Sequence, residues 1–263
     1  MLKKNFLFII FIFMMFVFIS SGVEASDAPP KGKDLARDVH DYHMGDNSVA
    51  SMTMELVDKN GRSRMRSLIT MTMDQDNVRS SLIRFLEPAD IAGTGFLSLE
   101  QGDGDTQQFL YLPALDRTRR IVATQKGRSF VNSDFTYEDM ERRPVEESDH
   151  ELSGQEMIDG RECWILEIRP LPVAESQYSL LRSWIPKDSP VPVQTYFYDE
   201  GGAHIKTYKV HELERIQEIW TPVHVVMTDL VQNHETILIT EEIEYNSPRV
   251  QSSIFTTRFL ESW

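Results

Sequence analysis

From Gly45 to Tyr245 the chain is written as short alternating segments separated by turn residues, and that rhythm restricts it to antiparallel β architecture. A hairpin around Asn60-Gly61 comes first. Strand-like runs follow at Val78–Glu87, Gly95–Gln101, Thr106–Leu112, Arg117–Ala123, Glu151–Met157, Arg161–Arg169 and Ser179–Pro186. Val191–Tyr198, His204–Glu212, Pro222–Val231 and Glu235–Tyr245 complete the set. Turn signals such as Asp76-Asn77, Gly102-Asp103-Gly104, Asp159-Gly160 and Gly201-Gly202 divide them. Strands of this length and spacing describe one large curved antiparallel sheet or barrel, a mainly β fold. Only Asp34–Tyr42 reads as helix, with Leu35, Val39 and Tyr42 on one stripe. The stretch from Lys126 to Glu147 breaks the rhythm and reads as a loop with a short helix near Tyr137–Met140. No Pro/Ser linker interrupts residues 26–263, which are expected to form one domain.

Asn-Gly is a strong two-residue hairpin turn because both residues tolerate positive φ. With Asn60-Gly61 as the loop, Leu56 faces Met65, Met52 faces Ile69 and Ala50 faces Met71, while Glu55 meets Arg66 on the other face. That register gives one apolar and one mostly polar face.

The chain begins with Lys3 and Lys4, an apolar run from Phe6 to Ile19, and small residues up to Ala25. This order is that of a secretory signal peptide, residues 1–25, and the run is shorter than the roughly 20 residues a spanning helix needs. Cleavage removes two lysines and one glutamate, moving the net charge from −14 to −15. Such an acidic surface disfavours nucleic acid and anionic lipid headgroups, both of which it repels, and suits solubility or a basic protein partner. The single cysteine, Cys163, excludes an internal disulfide and sits in an apolar strand, as a buried small residue does.

Catalytic signatures are absent. The chain holds no Gly-x-Ser-x-Gly elbow, no phosphate-cradling glycine loop and no His-Glu-x-x-His helix. His40 and His43, beside Asp38 and Asp41, are read as a solvated face rather than a zinc site, since further ligands are missing. No enzyme, cofactor or metal is expected. Methionine stands out instead. Met52, Met54, Met65, Met71 and Met73 crowd into two adjacent strands and share a face in the register above. Methionine is unbranched and polarizable and adapts to ligands of varied shape. Met52, Met54, Met65, Ile69, Met71 and Met73, with Phe109 and Tyr111, are therefore the candidate lining of an apolar groove. An empty groove exposes apolar surface, so the Leu35/Val39/Tyr42 helix and the 126–147 segment are candidate covers.

Three runs carry a resemblance: Gly93-Thr94-Gly95-Phe96, Phe109-Leu110-Tyr111-Leu112-Pro113 leading into Arg117–Ile121, and Ser133-Asp134-Phe135-Thr136-Tyr137-Glu138-Asp139-Met140. Later come Trp184-Ile185, Tyr198-Asp199 with Gly201-Gly202, Lys206, Trp220-Thr221-Pro222, Met227 and Phe255 to Leu260. In this order they resemble the outer-membrane lipoprotein-sorting family, related to the LolA and LolB carriers, over nearly the whole chain after the leader. The resemblance implies a LolA-like half-barrel of about eleven strands with helices over its concave face. It implies a soluble, monomeric periplasmic protein that carries a lipid or lipoprotein acyl chain. A membrane transporter of the RND or ABC type, or an outer-membrane acceptor, is the implied partner. The competing reading is a regulatory or transporter-accessory module that binds a protein and senses lipid. The gating arginine and covering helix of main-route carriers have no clear match; Arg119 and Arg120 lie in the family's own run.

Overall fold

The computed structural model describes residues 29–102 and 104–262, so the apolar leader lies outside the described residues. The alternating segments all become strands, thirteen in number: β1 Asn47–Val57, β2 Ser63–Gln75, β3 Val78–Glu87, β4 Gly95–Glu100, β5 Thr106–Leu112, β6 Arg117–Ile121, β7 Ser148–Ile158, β8 Arg161–Pro170, β9 Leu180–Pro186, β10 Gln194–Tyr198, β11 His204–Ile216, β12 Ile219–Asp229 and β13 His234–Tyr245. They form one sheet in the order β6-β5-β4-β3-β2-β1-β13-β12-β11-β10-β9-β8-β7. The count exceeds the eleven that the family resemblance implies. The chain meanders from β1 outward to one edge, crosses through residues 122–147 to the other edge, and returns until β13 pairs with β1.

The sheet curls around that crossing segment. Gln108 on β5 donates to the Tyr137 carbonyl at 2.8 Å, and Lys206 on β11 reaches Asp139 at 3.2 Å. On a flat sheet β5 and β11 stand seven strand spacings apart, roughly 34 Å. Tyr137 and Asp139 are two residues apart, at most about 7 Å of backbone. Even with the side chains extended, only a rolled sheet brings both strands to them. The roll remains open, because β6 and β7 are both edge strands.

The register of the first hairpin differs from the sequence reading by one residue. Val57 pairs with Ser63, Met54 with Arg66, Met52 with Leu68 and Ala50 with Thr70. The loop is three residues long, and Gly61 alone takes positive φ, 75°. Asp58 accepts from the Asn60 and Arg62 amides at 2.8 and 3.1 Å, and the Gly61 amide donates to the Asp58 carbonyl at 2.8 Å. The Arg62 guanidinium beside it holds the Asp58 carboxyl down at about 2. Asp first and Gly fourth is the signature of a type I turn followed by a left-handed residue. A one-residue slip sends a strand's side chains to opposite faces, so the methionines divide. Met52 and Met54 join the inner wall with Leu68, Phe85 and Phe96, whereas Met71 and Met73 pack on the outer face with Val49, Leu82 and Leu97.

Helix α1, Gly32–His40, starts two residues before the predicted helix and ends two before Tyr42. It buries Leu35 and Ala36 against Leu166 and Ile185. Tyr42, just beyond it, accepts the Trp220 amide through its hydroxyl at 2.7 Å. A second helix, α2, Thr257–Ser262, was not readable from periodicity because six residues make less than two turns. It lies over β4, β5 and β6 on the outer face. Arg84 fixes it there, donating to the Leu260 and Gly93 carbonyls, both at 2.6 Å. Gly95 permits the approach: a Cβ there would stand 2.6 Å from Leu260 Cδ1. No helix among the described residues is long and apolar enough to cross a membrane.

Leu260 is fully buried in this outer cluster. Leu260→Ala is expected to cost about 3 kcal/mol, read as a lower urea midpoint with an unchanged slope.

Candidate functional site

The inner wall is filled at one end and open at the other. Residues 122–147 supply the filling. Phe130 packs edge-on to Phe96 with ring centroids 5.0 Å apart, and its centroid lies 6.1 Å from Phe85 and 5.9 Å from Tyr137. The segment folds on itself first: the Phe130 amide donates to the Phe135 carbonyl at 2.7 Å, and Tyr137 to Arg128 at 3.1 Å. Its expected short helix is a single turn at Glu138–Met140. This is one of the two covers anticipated from the sequence, and it acts as an aromatic plug.

Polar clamps hold the plug. Asp134 accepts from the Thr236 hydroxyl at 2.6 Å and faces His234 Nδ1 at 2.9 Å, tying the plug to β13. Asp139 accepts from the Thr136 amide and hydroxyl at 2.8 Å, from the Tyr178 hydroxyl at 2.9 Å and from Lys206 at 3.2 Å. The Lys206 and Asp139 side chains are 8% and 3% exposed, so this pair is desolvated. Burial pushes the Tyr178 phenol far above its ordinary range, keeping it a donor. Arg142 completes the set. It grips Glu100 on β4 with two nitrogens and donates to Asn77 and to the His40 carbonyl at 2.8 and 3.1 Å, joining β4, the β2–β3 turn and α1.

Two cavities remain on the inner face beyond the plug. One, about 270 Å³, is bounded by Ala50, Met52, Thr70, Ile243 and Tyr245. The other, about 280 Å³, lies beneath α1 and is walled by Val39, Val145, Leu166, Ile168, Leu181 and Phe197. Arg79 borders both. It donates to Asp74 at 3.2 Å, and its Nε is buried without a partner. Each cavity alone falls just below the roughly 300–1,000 Å³ of typical ligand sites, and the two joined fall within it. A third space of about 470 Å³ separates the sheet's open edges, but it is lined by charges, among them Arg120, Lys126, Glu138, Glu141 and Arg143. Burial raises the Glu141 carboxyl, which Lys126 meets at 2.9 Å. That mouth suits polar groups, not hydrocarbon.

Of the groove residues expected from the sequence, Met52 lines the lumen and Met54 sits on the same wall, 3% exposed. Met65 is 61% exposed. Ile69, Met71 and Met73 share the opposite face of β2, and Phe109 and Tyr111 pack in the outer cluster beside Phe255 and Leu260. The slip in register accounts for the methionines and Ile69. The wall supplied by β8, β9 and β10 was missed: their alternation was visible, but nothing local fixed which face turned inward. Cys163 is buried, and burial raises its thiol, as an inert core cysteine requires. Among the described residues no group of three or more His, Cys, Asp or Glu side chains could hold a metal.

Removing one partner of a buried pair leaves an uncompensated charge. Lys206→Met is expected to cost about 3–5 kcal/mol. Adding Asp139→Asn should recover much of it, and urea unfolding of the four-member cycle measures the coupling.

A family described as an uncharacterized protein matches residues 77–262. No curated protein matches the sequence. A DUF1329 family protein from Desulfovibrio piger is 29% identical with a TM-score of 0.82, over 87% of this chain and 97% of that one. A protein described as an outer membrane lipoprotein-sorting protein domain, from Vibrio parahaemolyticus, is 27% identical with a TM-score of 0.82, over 88% and 98%. A LolA superfamily protein from Nitrosomonas europaea, 15% identical with a TM-score of 0.68 over 88% and 100%, shares the fold. The chain therefore belongs to the family whose model spans residues 77–262, and over nearly its whole length it is similar to a DUF1329 family protein and to a protein described as an outer membrane lipoprotein-sorting protein domain.

Proposed function

We propose that this protein is a periplasmic carrier that holds a lipid or lipoprotein acyl chain in the lumen between Met52 and Phe197, beneath α1. The observation that carries the reading is the pair of apolar-walled cavities on the inner face, left unfilled by the protein's own side chains. An open sheet gives such a chain a way in, and kinship with lipoprotein-sorting proteins supports the cargo class. Each methylene transferred from water gains about 0.8 kcal/mol, so ten of them gain on the order of 8 kcal/mol before ordering costs. Hydrocarbon needs no hydrogen-bond code, and the apolar part of the wall is Val, Ile, Leu, Met and Phe, with Asp74, Arg79, Arg142, Arg143 and several threonines at its borders. A longer chain needs the space Phe130 and Tyr137 now fill, so large cargo requires the plug to move. Export on the N-terminal leader and transfer to a transporter or outer-membrane acceptor complete the proposal.

Native mass spectrometry of protein purified from the periplasm should find bound lipid, and displacement of a fluorescent fatty acid should titrate the site. Met52→Asp is expected to weaken that binding at least tenfold. Met71→Asp, on the outer face, should leave it within twofold in protein that still melts cooperatively. Equal losses from the two variants, or no displacement at micromolar protein, would refute the lumen as the site.

A further inference from the structure

The antiparallel order brings one set of loops to a single end of the sheet. The β1–β2 hairpin, the end of β3, the β5–β6 turn and the β12–β13 turn all lie there, because Ser67 pairs with Glu87, Gly95 with Tyr111, Leu112 with Arg117 and Val57 with Glu235. Apolar side chains that elsewhere would be buried stand exposed at this end. Leu115 and Val231 are 68% and 70% exposed, and Met65, Leu86 and Leu230 join them. These five are the majority of the nine large hydrophobic side chains exposed among the described residues.

Arginines gather at the same end. Arg64 and Arg66 begin β2, and Arg117 and Arg119 lie on β6, all four on the inner-facing side of their strands by the pairing Met54–Arg66 and Leu110–Arg119. In a chain with 41 acidic against 27 basic residues, most arginines find carboxylates. The neighbouring Arg62 and Arg120 do, with Asp58 at 2.6 Å and Asp105 at 4.0 Å. No ion pair is formed among the described residues by Arg64, Arg66, Arg117 or Arg119; Arg66 instead donates to the Val131 carbonyl at 2.7 Å.

We propose that this end docks on an anionic phospholipid surface, with the exposed Leu and Val tips entering the headgroup layer and Arg64, Arg117 and Arg119 meeting the phosphates. The two features have complementary roles. Apolar tips supply burial that salt does not screen, and arginines supply attraction within a Debye length. The molecule as a whole carries net charge −14, so its remaining surface is repelled by the same bilayer. Glu87, Asp90, Asp116 and Glu235 also stand exposed at this end, so the apolar tips supply the main attraction and the arginines favour anionic over neutral headgroups. The test is sharp because an acidic protein has no diffuse reason to bind anionic vesicles. A docked molecule meets the bilayer with the end where the plug's tip is tied through Arg66 and through Asp134 to β13.

Co-sedimentation of the exported protein with vesicles of phosphatidylglycerol mixed into phosphatidylcholine, and of phosphatidylcholine alone, tests the proposal without reference to any cargo. The wild type is expected to partition onto the anionic vesicles, less so at high salt. Each arginine near such a surface contributes about fivefold, so Arg64→Glu, Arg117→Glu and Arg119→Glu together should lower partitioning on the order of a hundredfold. Leu230→Asp with Val231→Asp should lower it at both salt concentrations. Arg215→Glu with Arg249→Glu, at the opposite end of the sheet, should not change it, and circular dichroism confirms that all variants are folded. Equal partitioning on both vesicle types, an equal loss in the opposite-end pair, or binding only to native membranes that retain their proteins would overturn it.

Discussion

A sheet of thirteen strands that rolls without closing has an inner wall too long for the one short helix on that side, α1, to cover. The chain meets this constraint with its own crossing segment, and the rest of the architecture follows from how that segment is held. Residues 122–147 join the two edge strands, so they must pass over the inner wall. Once there, Phe130, Phe135 and Tyr137 bury against Phe85 and Phe96. Apolar burial alone does not choose a position along a greasy wall, because such contacts are non-directional. The Asp139–Lys206–Tyr178 and Asp134–Thr236–His234 clamps choose it. A buried ion pair returns little net stability for its desolvation, so its service here is to set the plug's register against β11 and β13.

The strands were legible because alternation is local: each inward residue is followed by an outward one, and most turns carried Gly, Asn or Asp. Alternation gave thirteen strands where the family resemblance implied eleven, and the local signal was the better guide. Pairing register is a different quantity. It depends on one loop, and reading Asn60-Gly61 as a two-residue turn ignored Asp58, whose carboxylate and carbonyl both close the loop. That single misplacement put Met71 and Met73 in the groove when they belong under the C-terminal segment.

The lumen was only partly legible for a further physical reason. Its walls come from β1 to β3, from β12 and β13 and from β8 to β10, far apart in sequence, and are brought together by the β1–β13 pairing. Phe130, Phe135 and Tyr137 follow no strand or helix period, so nothing in their spacing announces a plug. Arg79 was invisible for the same reason. Its position between the cavities depends on the β2–β3 turn meeting α1 through Arg142, a contact that no stretch of sequence contains.

The lumen stays open because directional bonds, not maximal contact, set the distance between its walls. Leucine side chains would slide together and close the gap, since protein interiors otherwise reach crystal-like density. Arg142 instead spans from Glu100 to the α1 terminus with all three guanidinium nitrogens engaged, and any approach of the walls would bend those bonds. Arg79 adds to the effect at the centre. Leaving its Nε without a partner costs about 1–3 kcal/mol, a penalty that an apolar residue at the same place would avoid by filling the space. A charged strut between two apolar cavities is stable only while its own ends are hydrated or paired, so the fold retains an aperture there as a consequence of the residue it uses to divide it.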